Sequence, residues 1–160
     1  MHYYIYQIFQ SKVPEHDWAP AWALEACPQF MAVADTIEPA KDRSSAIAHL
    51  GTWLKENRLG IYSQETFLVD TGAAERHFVG RFAAFQQAIA ALQTLHKTQF
   101  LHEHDRVQNL ISDLCTAFSE KHDAYVLLEN TLPPIPMDEF IRKARPNTTY
   151  YIGAVFNFHD

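Results

Sequence analysis

Glycine is scarce in this 160-residue chain. There are five, and none falls in a G-x-x-x-x-G-K-[ST], G-x-G-x-x-G or G-x-S-x-G pattern. The chain therefore carries no readable phosphate loop, dinucleotide fingerprint or nucleophile elbow. Cysteine occurs twice, as Cys27 and Cys115, with no C-x-x-C. Two widely spaced cysteines do not make the disulfide framework of a small secreted domain, and they point to a reducing cytoplasm. No apolar run approaches the roughly 20 residues of a membrane span. The first residues, Met1 to Tyr6, lack a basic region and a small-residue cleavage site, so they read as part of the fold and not as a signal peptide. Basic residues are also in deficit, 13 against 19 acids, for a formal charge of −6. Arg142, Lys143 and Arg145 form the one dense basic group, which argues against sequence reading on nucleic acid.

What is present describes a folded protein. The hydrophobic fraction is 48% and the aromatic fraction 13%, well away from disordered compositions. The length suits a single globular domain over 1–160, large enough to bury a substantial core. Nine histidines make the charge depend strongly on pH: protonating all of them would move it from −6 to +3.

The stretch 74–120 organises the reading. Phe78, Phe82, Phe85, Ile89 and Leu92 recur at steps of four and three, which is one stripe of a helix. Val107, Leu110, Ile111, Leu114 and Phe118 form a second stripe, and Cys115 lies within it as an ordinary buried thiol. The polar segment 97–103 between them predicts a short connection and hence an αα-hairpin. Core packing against a sheet is the first expectation for both stripes.

Strands are expected at 2–10, 30–37, 61–69, 124–128 and 149–158. In the first, Tyr3, Ile5 and Phe9 alternate with Tyr4, Tyr6 and Ile8, so both faces are apolar, as in a covered central strand. The last strand has the same character, with Tyr150, Ile152, Ala154, Phe156 and Phe158 on one face. The terminal strands are therefore placed together in mid-sheet. Helices are expected within 15–27, where Pro20 fits the first turn of a short helix and Pro28 a stop, and over 45–58 and 137–144, the second helix capped by Asp42 or Ser44 and ended by a left-handed Gly60. The prolines of 130–136 predict a loop. The resulting fold class is α+β, or mixed α/β, with one sheet of about five strands and helices packed on it, the hairpin at 74–120 included.

No catalytic constellation is legible. The best metal candidate is His102, His104 and Asp105, in the run His102-Glu103-His104-Asp105, with His96 nearby. On a loop, imidazole and carboxylate in that order would suit zinc or another divalent metal, the one cofactor the sequence suggests. On a helix, residues two apart point to different sides, and Arg106 stands where H-E-x-x-H needs its second histidine. His122 would sit beyond a helix of roughly 25 Å. The plainer reading is a polar turn. His96-Lys97-Thr98 is a single H-x-T triplet, whereas two-histidine phosphoester chemistry needs a base and an acid. Trp18 and Trp22, four apart on a short proline-bounded helix, are either pins against the sheet or rigid contacts for a protein partner.

These observations favour a non-catalytic, acidic, cytoplasmic factor that binds another protein, a basic one by charge, as an inhibitor, antitoxin or immunity-type protein does. The alternatives are a small metal-dependent hydrolase built on His102 and His104, and a small-molecule-binding or homo-oligomeric domain using the outer face of the hairpin.

Overall fold

The computed structural model describes residues 3–32, 34–119 and 124–159. Among these, seven strands form one mixed sheet: β1 (Tyr3–Phe9), β2 (Thr36–Pro39), β3 (Gly60–Ser63), β4 (Thr66–Val69), β5 (Ala124–Leu128), β6 (Ile135–Pro136) and β7 (Thr149–His159). The order is β3-β4-β7-β1-β5-β6, with β2 pairing on β7 as well. β1 runs antiparallel to β7 and parallel to β5. The terminal strands are thus central, and the α+β class follows. Two strands exceed the expected five. The extended stretch at 61–69 is a hairpin turning at Gln64, which has a φ of 52°, and Ile135–Pro136 adds a two-residue strand at the sheet edge, where a missing N–H is tolerated.

Both faces of β1 are covered. On one, Ile5, Tyr125, Leu127, Phe156 and Phe158 pack with Leu24, Cys27, Phe30 and Ile37. The rings of Phe30, Tyr125 and Phe158 meet edge to face with centroids 5.0–5.4 Å apart. On the other, Tyr6 donates its hydroxyl hydrogen to the Ala46 carbonyl at 3.1 Å, in helix α2 (Arg43–Glu56). Helix α6 (Met137–Lys143) brings Phe140 against Phe67 and Tyr150.

Asp42 caps α2, its Oδ1 accepting from the Ser45 N–H at 2.9 Å. The left-handed residue after this helix is Arg58, at φ 55°, and not Gly60. Gly60 instead opens β3, where a Cβ would lie 1.9 Å from the Leu68 carbonyl oxygen. Its lack of a side chain serves strand approach, not helix termination.

The segment after β1 also departs from expectation. A 3-10 turn (Glu15–Asp17) is followed by Trp18 in extended conformation, and helix α1 (Ala21–Glu25) begins only after Pro20, its N-cap. Pro20 thus stands at the start of the short helix, where its missing N–H costs nothing, while Trp18 falls before the helix and not on it. Residues 28–32 are turns, and strand β2 starts at Thr36. Val33, within the strand expected at 30–37, lies outside the described residues, as does His2 of the first strand.

The chain resolves into two compact units, one of residues 1–76 with 121–160, the other of residues 77–120. In the second, helix α3 (Ala73–Gln93, which starts in the first unit), α4 (Lys97–His102) and α5 (His104–Phe118) follow one another. The Arg81 guanidinium donates to the Ser119 carbonyl, and the Phe85 and Phe118 rings lie 6.0 Å apart. The middle of α3 therefore lies beside the end of α5. The connection between them is helical and not a polar loop, because His96 and Gln99 form a reciprocal capping box that starts α4. Glu120, the last residue of the expected hairpin, is outside the described residues.

Candidate functional site

Strand β7 is paired with β1 along one edge. Along the other it is shared, by β4 at Thr149–Tyr151 and β2 at Phe156–His159. Between these partners the ladder is irregular. Tyr6 pairs with Val155 and Ile8 with Ile152, so β7 carries one residue more than β1. This is a β-bulge, and it leaves backbone groups of Ile152, Gly153 and Ala154 without ladder partners.

Two side chains take up those groups. Gln7 is fully buried in an otherwise apolar strand. Its Oε1 accepts from the Ala154 N–H at 3.3 Å and the Ala19 N–H at 3.1 Å. Its Nε2 donates to the Glu129 carbonyl and to Asn130 Oδ1, both at 2.8 Å. On the other edge, Arg43 donates from Nε to the Gly153 carbonyl at 2.8 Å and from Nη2 to the Ile152 carbonyl at 2.7 Å. Gly153 is required: a Cβ there would lie 2.6 Å from Phe9 Cε2 and 3.2 Å from Gln7 Oε1. The bulge also shifts the strand's alternation. Phe156 and Phe158 share the face of Ile5, whereas Tyr150 stacks on Phe67 under α6. The simple two-residue period expected across 149–158 does not hold.

A cavity of about 620 Å³ opens over the bulge. Tyr151, Ile152 and Gly153 contribute from β7 and Phe9 from β1. Val13, Pro14, Glu15 and Trp18 come from the following loop, and the β3–β4 turn brings Gln64 and Glu65. Arg43 projects from the first turn of α2 with its guanidinium 4.7 Å from the Trp18 ring centroid. Its Nη1 pairs with the Glu65 carboxylate, which is largely exposed. The Glu65 carbonyl accepts from the Ile152 N–H at 2.8 Å. The Trp18 indole donates to the Val13 carbonyl at 3.3 Å. Lys12 stands on the rim. The arrangement can present a fixed guanidinium and flat apolar walls to a small molecule.

The residues singled out from sequence are placed differently. His102 closes α4, His104 opens α5, and Glu103 between them breaks the helix at φ −115°, ψ 56°. Among the described residues, no three His, Cys, Asp or Glu side chains gather as a metal site, so His102, His104 and Asp105 do not converge on one ion. Glu103 instead pairs with Arg106 at 3.0 Å, one turn on. His122 lies outside the described residues. Trp22 is on α1 and 68% exposed. Trp18 is not on that helix and serves as a wall of the cavity. Cys115 is exposed and Cys27 buried, the reverse of the expectation for Cys115.

A second feature concerns the helical unit. Val79, Phe82, Phe100, Leu101, Ile111 and Phe118 are 49–74% exposed. Of the two stripes, Val107 is buried, while Phe82, Ile111 and Phe118 are open to solvent. No protein-family model, curated protein or solved structure matches this chain.

The bulge residues escaped sequence reading. Arg43 is one of many surface-type residues at a helix start. Gln7 and Gly153 did leave a signal: an uncharged polar residue and a glycine, each inside an apolar strand, mark an irregular ladder.

Proposed function

We propose that this protein is a non-catalytic, acidic, cytoplasmic protein-binding factor of the inhibitor, antitoxin or immunity type, docking a basic protein through its helical unit. The observation that carries this reading is the exposure of six large apolar side chains between Val79 and Phe118. Six exposed large apolar side chains within one helical unit are apolar area that a partner could cover. Phenylalanine is among the aromatic residues enriched at protein interfaces, where it supplies rigid apolar area.

Charge favours a basic partner. Within 77–120, Arg81, Lys97 and Arg106 nearly offset Glu103, Asp105, Asp113 and Glu120, so most of the −6 resides elsewhere in the chain. A near-neutral apolar face desolvates cheaply, while the overall negative charge accelerates encounter with a basic protein. Two free thiols support a reducing compartment. Among the described residues no helix is long and apolar enough to cross a membrane. The metal-dependent hydrolase on His102 and His104 has less support, because among the described residues no three His, Cys, Asp or Glu side chains gather as a metal site.

The test compares the wild type with a Phe82→Asp/Phe118→Asp variant of unchanged circular dichroism and Tm. The expected partner is a basic protein that the wild type retains from host extract. Purified, it rebinds one to one with an association rate that falls as salt rises, and it is lost with the variant. A wild type that self-associates with concentration, and is made monomeric by the same substitutions, would identify a second copy of the chain as the occupant and overturn the reading.

A further inference from the structure

We propose that the cavity over the β7 bulge binds a small organic carboxylate with a flat apolar body, the carboxylate on Arg43 and the body between Trp18 and Tyr151. This site is independent of the helical docking surface.

Three observations lead there. Arg43 is fixed by bonds that no ligand would disturb. One edge of its guanidinium is held by the Gly153 and Ile152 carbonyls at 2.8 and 2.7 Å, and one face lies against Trp18. The guanidinium is therefore preorganised, which lowers the entropic cost of binding an anion. Its anionic partner, in contrast, is replaceable. Glu65 lies in a tight turn with its side chain 61% exposed, and exposed ion pairs are weak. A ligand carboxylate can take its place on the outer end of the guanidinium, where bidentate pairing is available. Finally, the cavity has the volume of an ordinary ligand site, about 620 Å³, and its aromatic walls suit a planar body.

The charge balance selects a monoanion. Lys12 and Arg43 are offset by Glu15 and Glu65 around the same cavity. A monocarboxylate exchanging for Glu65 leaves one negative group on the guanidinium, as before. A phosphate dianion would place twice the negative charge of a monocarboxylate beside Glu15 and Glu65, which is the less favourable at this range.

The experiment is a titration of the full ¹⁵N-labelled chain with phenylacetate. Acetate serves as the anion alone and phenethylamine as the body alone. The reporters are the Trp18 indole N–H, identified by its loss in Trp18→Phe, and the Ile152 and Gly153 amides. Phenylacetate is expected to saturate all three with half-saturation near or below about 1 mM, an ordinary affinity for so small a ligand. Both control compounds should bind at least tenfold more weakly. Glu65→Gln, on an exposed turn, should tighten phenylacetate by about two- to fivefold by removing the competing carboxylate. Trp18→Ala should weaken it at least fivefold. Arg43 also closes the bulge, so its replacement is not needed for the decision. No saturation in either the wild type or Glu65→Gln up to about 20 mM overturns the proposal. So does an equal response to phenethylamine, or weaker binding by Glu65→Gln.

Discussion

Gln7 and Ala154 are joined across the sheet: the Gln7 side-chain oxygen accepts from the Ala154 N–H at 3.3 Å. The bulge removes that N–H from the ladder, and a fully buried amide replaces the missing strand carbonyl. The same amide ties in Ala19, Glu129 and Asn130. One polar side chain thereby fixes the loop after β1, the end of β5 and the irregular turn of β7.

Replacing Gln7 by leucine keeps the volume but leaves several buried donors and acceptors unpaired. Each such group costs about 1–3 kcal/mol, so Gln7→Leu should lower stability by about 3 kcal/mol. Urea unfolding should show a reduced midpoint with an unchanged slope. A midpoint equal to wild type would mean that these bonds contribute nothing net.

Two glycine substitutions should move stability in opposite directions. At Gly153 a methyl group meets the Phe9 ring at 2.6 Å, and overpacking of this kind costs about 1–3 kcal/mol. At Gly80, inside α3, a Cβ has nothing within 4 Å. Alanine there raises helix propensity, so Gly80→Ala should stabilise by about 0.5–1 kcal/mol. Thermal melts of both variants check the pair, and destabilisation by Gly80→Ala would contradict the open geometry.

The central position of β1 and β7 was legible because both strands are apolar on both faces, a pattern with one common cause. The bulge was not. Residues 149–158 stay mostly apolar in either phase, so a one-residue slip leaves the hydrophobic pattern almost unchanged. The cavity inherits that blindness, because Arg43 reaches carbonyls 109 and 110 positions away, and no local pattern encodes that reach. The helical stripes failed differently. Their spacing established helices correctly, but periodicity reports a shared face and not what covers it. Hence Phe82, Ile111 and Phe118 could be assigned to a core that leaves them exposed.

Tyr6 should give the protein an alkaline sensitivity. Burial, with a smaller contribution from neighbouring Tyr4, pushes its phenol well above the ordinary value near 10. Its stabilising contribution is complete below that ordinary value. Above it, the unfolded chain loses the proton while the folded protein keeps it, so stability falls as pH rises toward the folded-state pKa. One such group contributes a slope of about 1.4 kcal/mol per pH unit. Tyr6→Phe should lose about 1 kcal/mol at pH 7, from the bond to Ala46, and should show a shallower decline above pH 10. Urea titrations between pH 8 and 11 resolve the difference, and parallel declines would show that Tyr6 is not the group responsible.

Alanine at Phe118 separates an interaction surface from a core. In a packed interior, Phe→Ala costs about 3–5 kcal/mol. Phe118 is 74% exposed, with the Phe85 ring at 6.0 Å, so Phe118→Ala should cost under about 1 kcal/mol in the isolated chain. Leu54, buried on α2, provides the internal standard, where Leu54→Ala should cost about 2–5 kcal/mol. The comparison needs no knowledge of the partner. It asks whether the chain keeps a large aromatic side chain that does little for its own stability. A core-sized loss at Phe118 would mean that the ring is already buried within the protein, and the docking role of the helical unit would lose its foundation. A small loss leaves Phe118 free to contribute its buried area to another molecule.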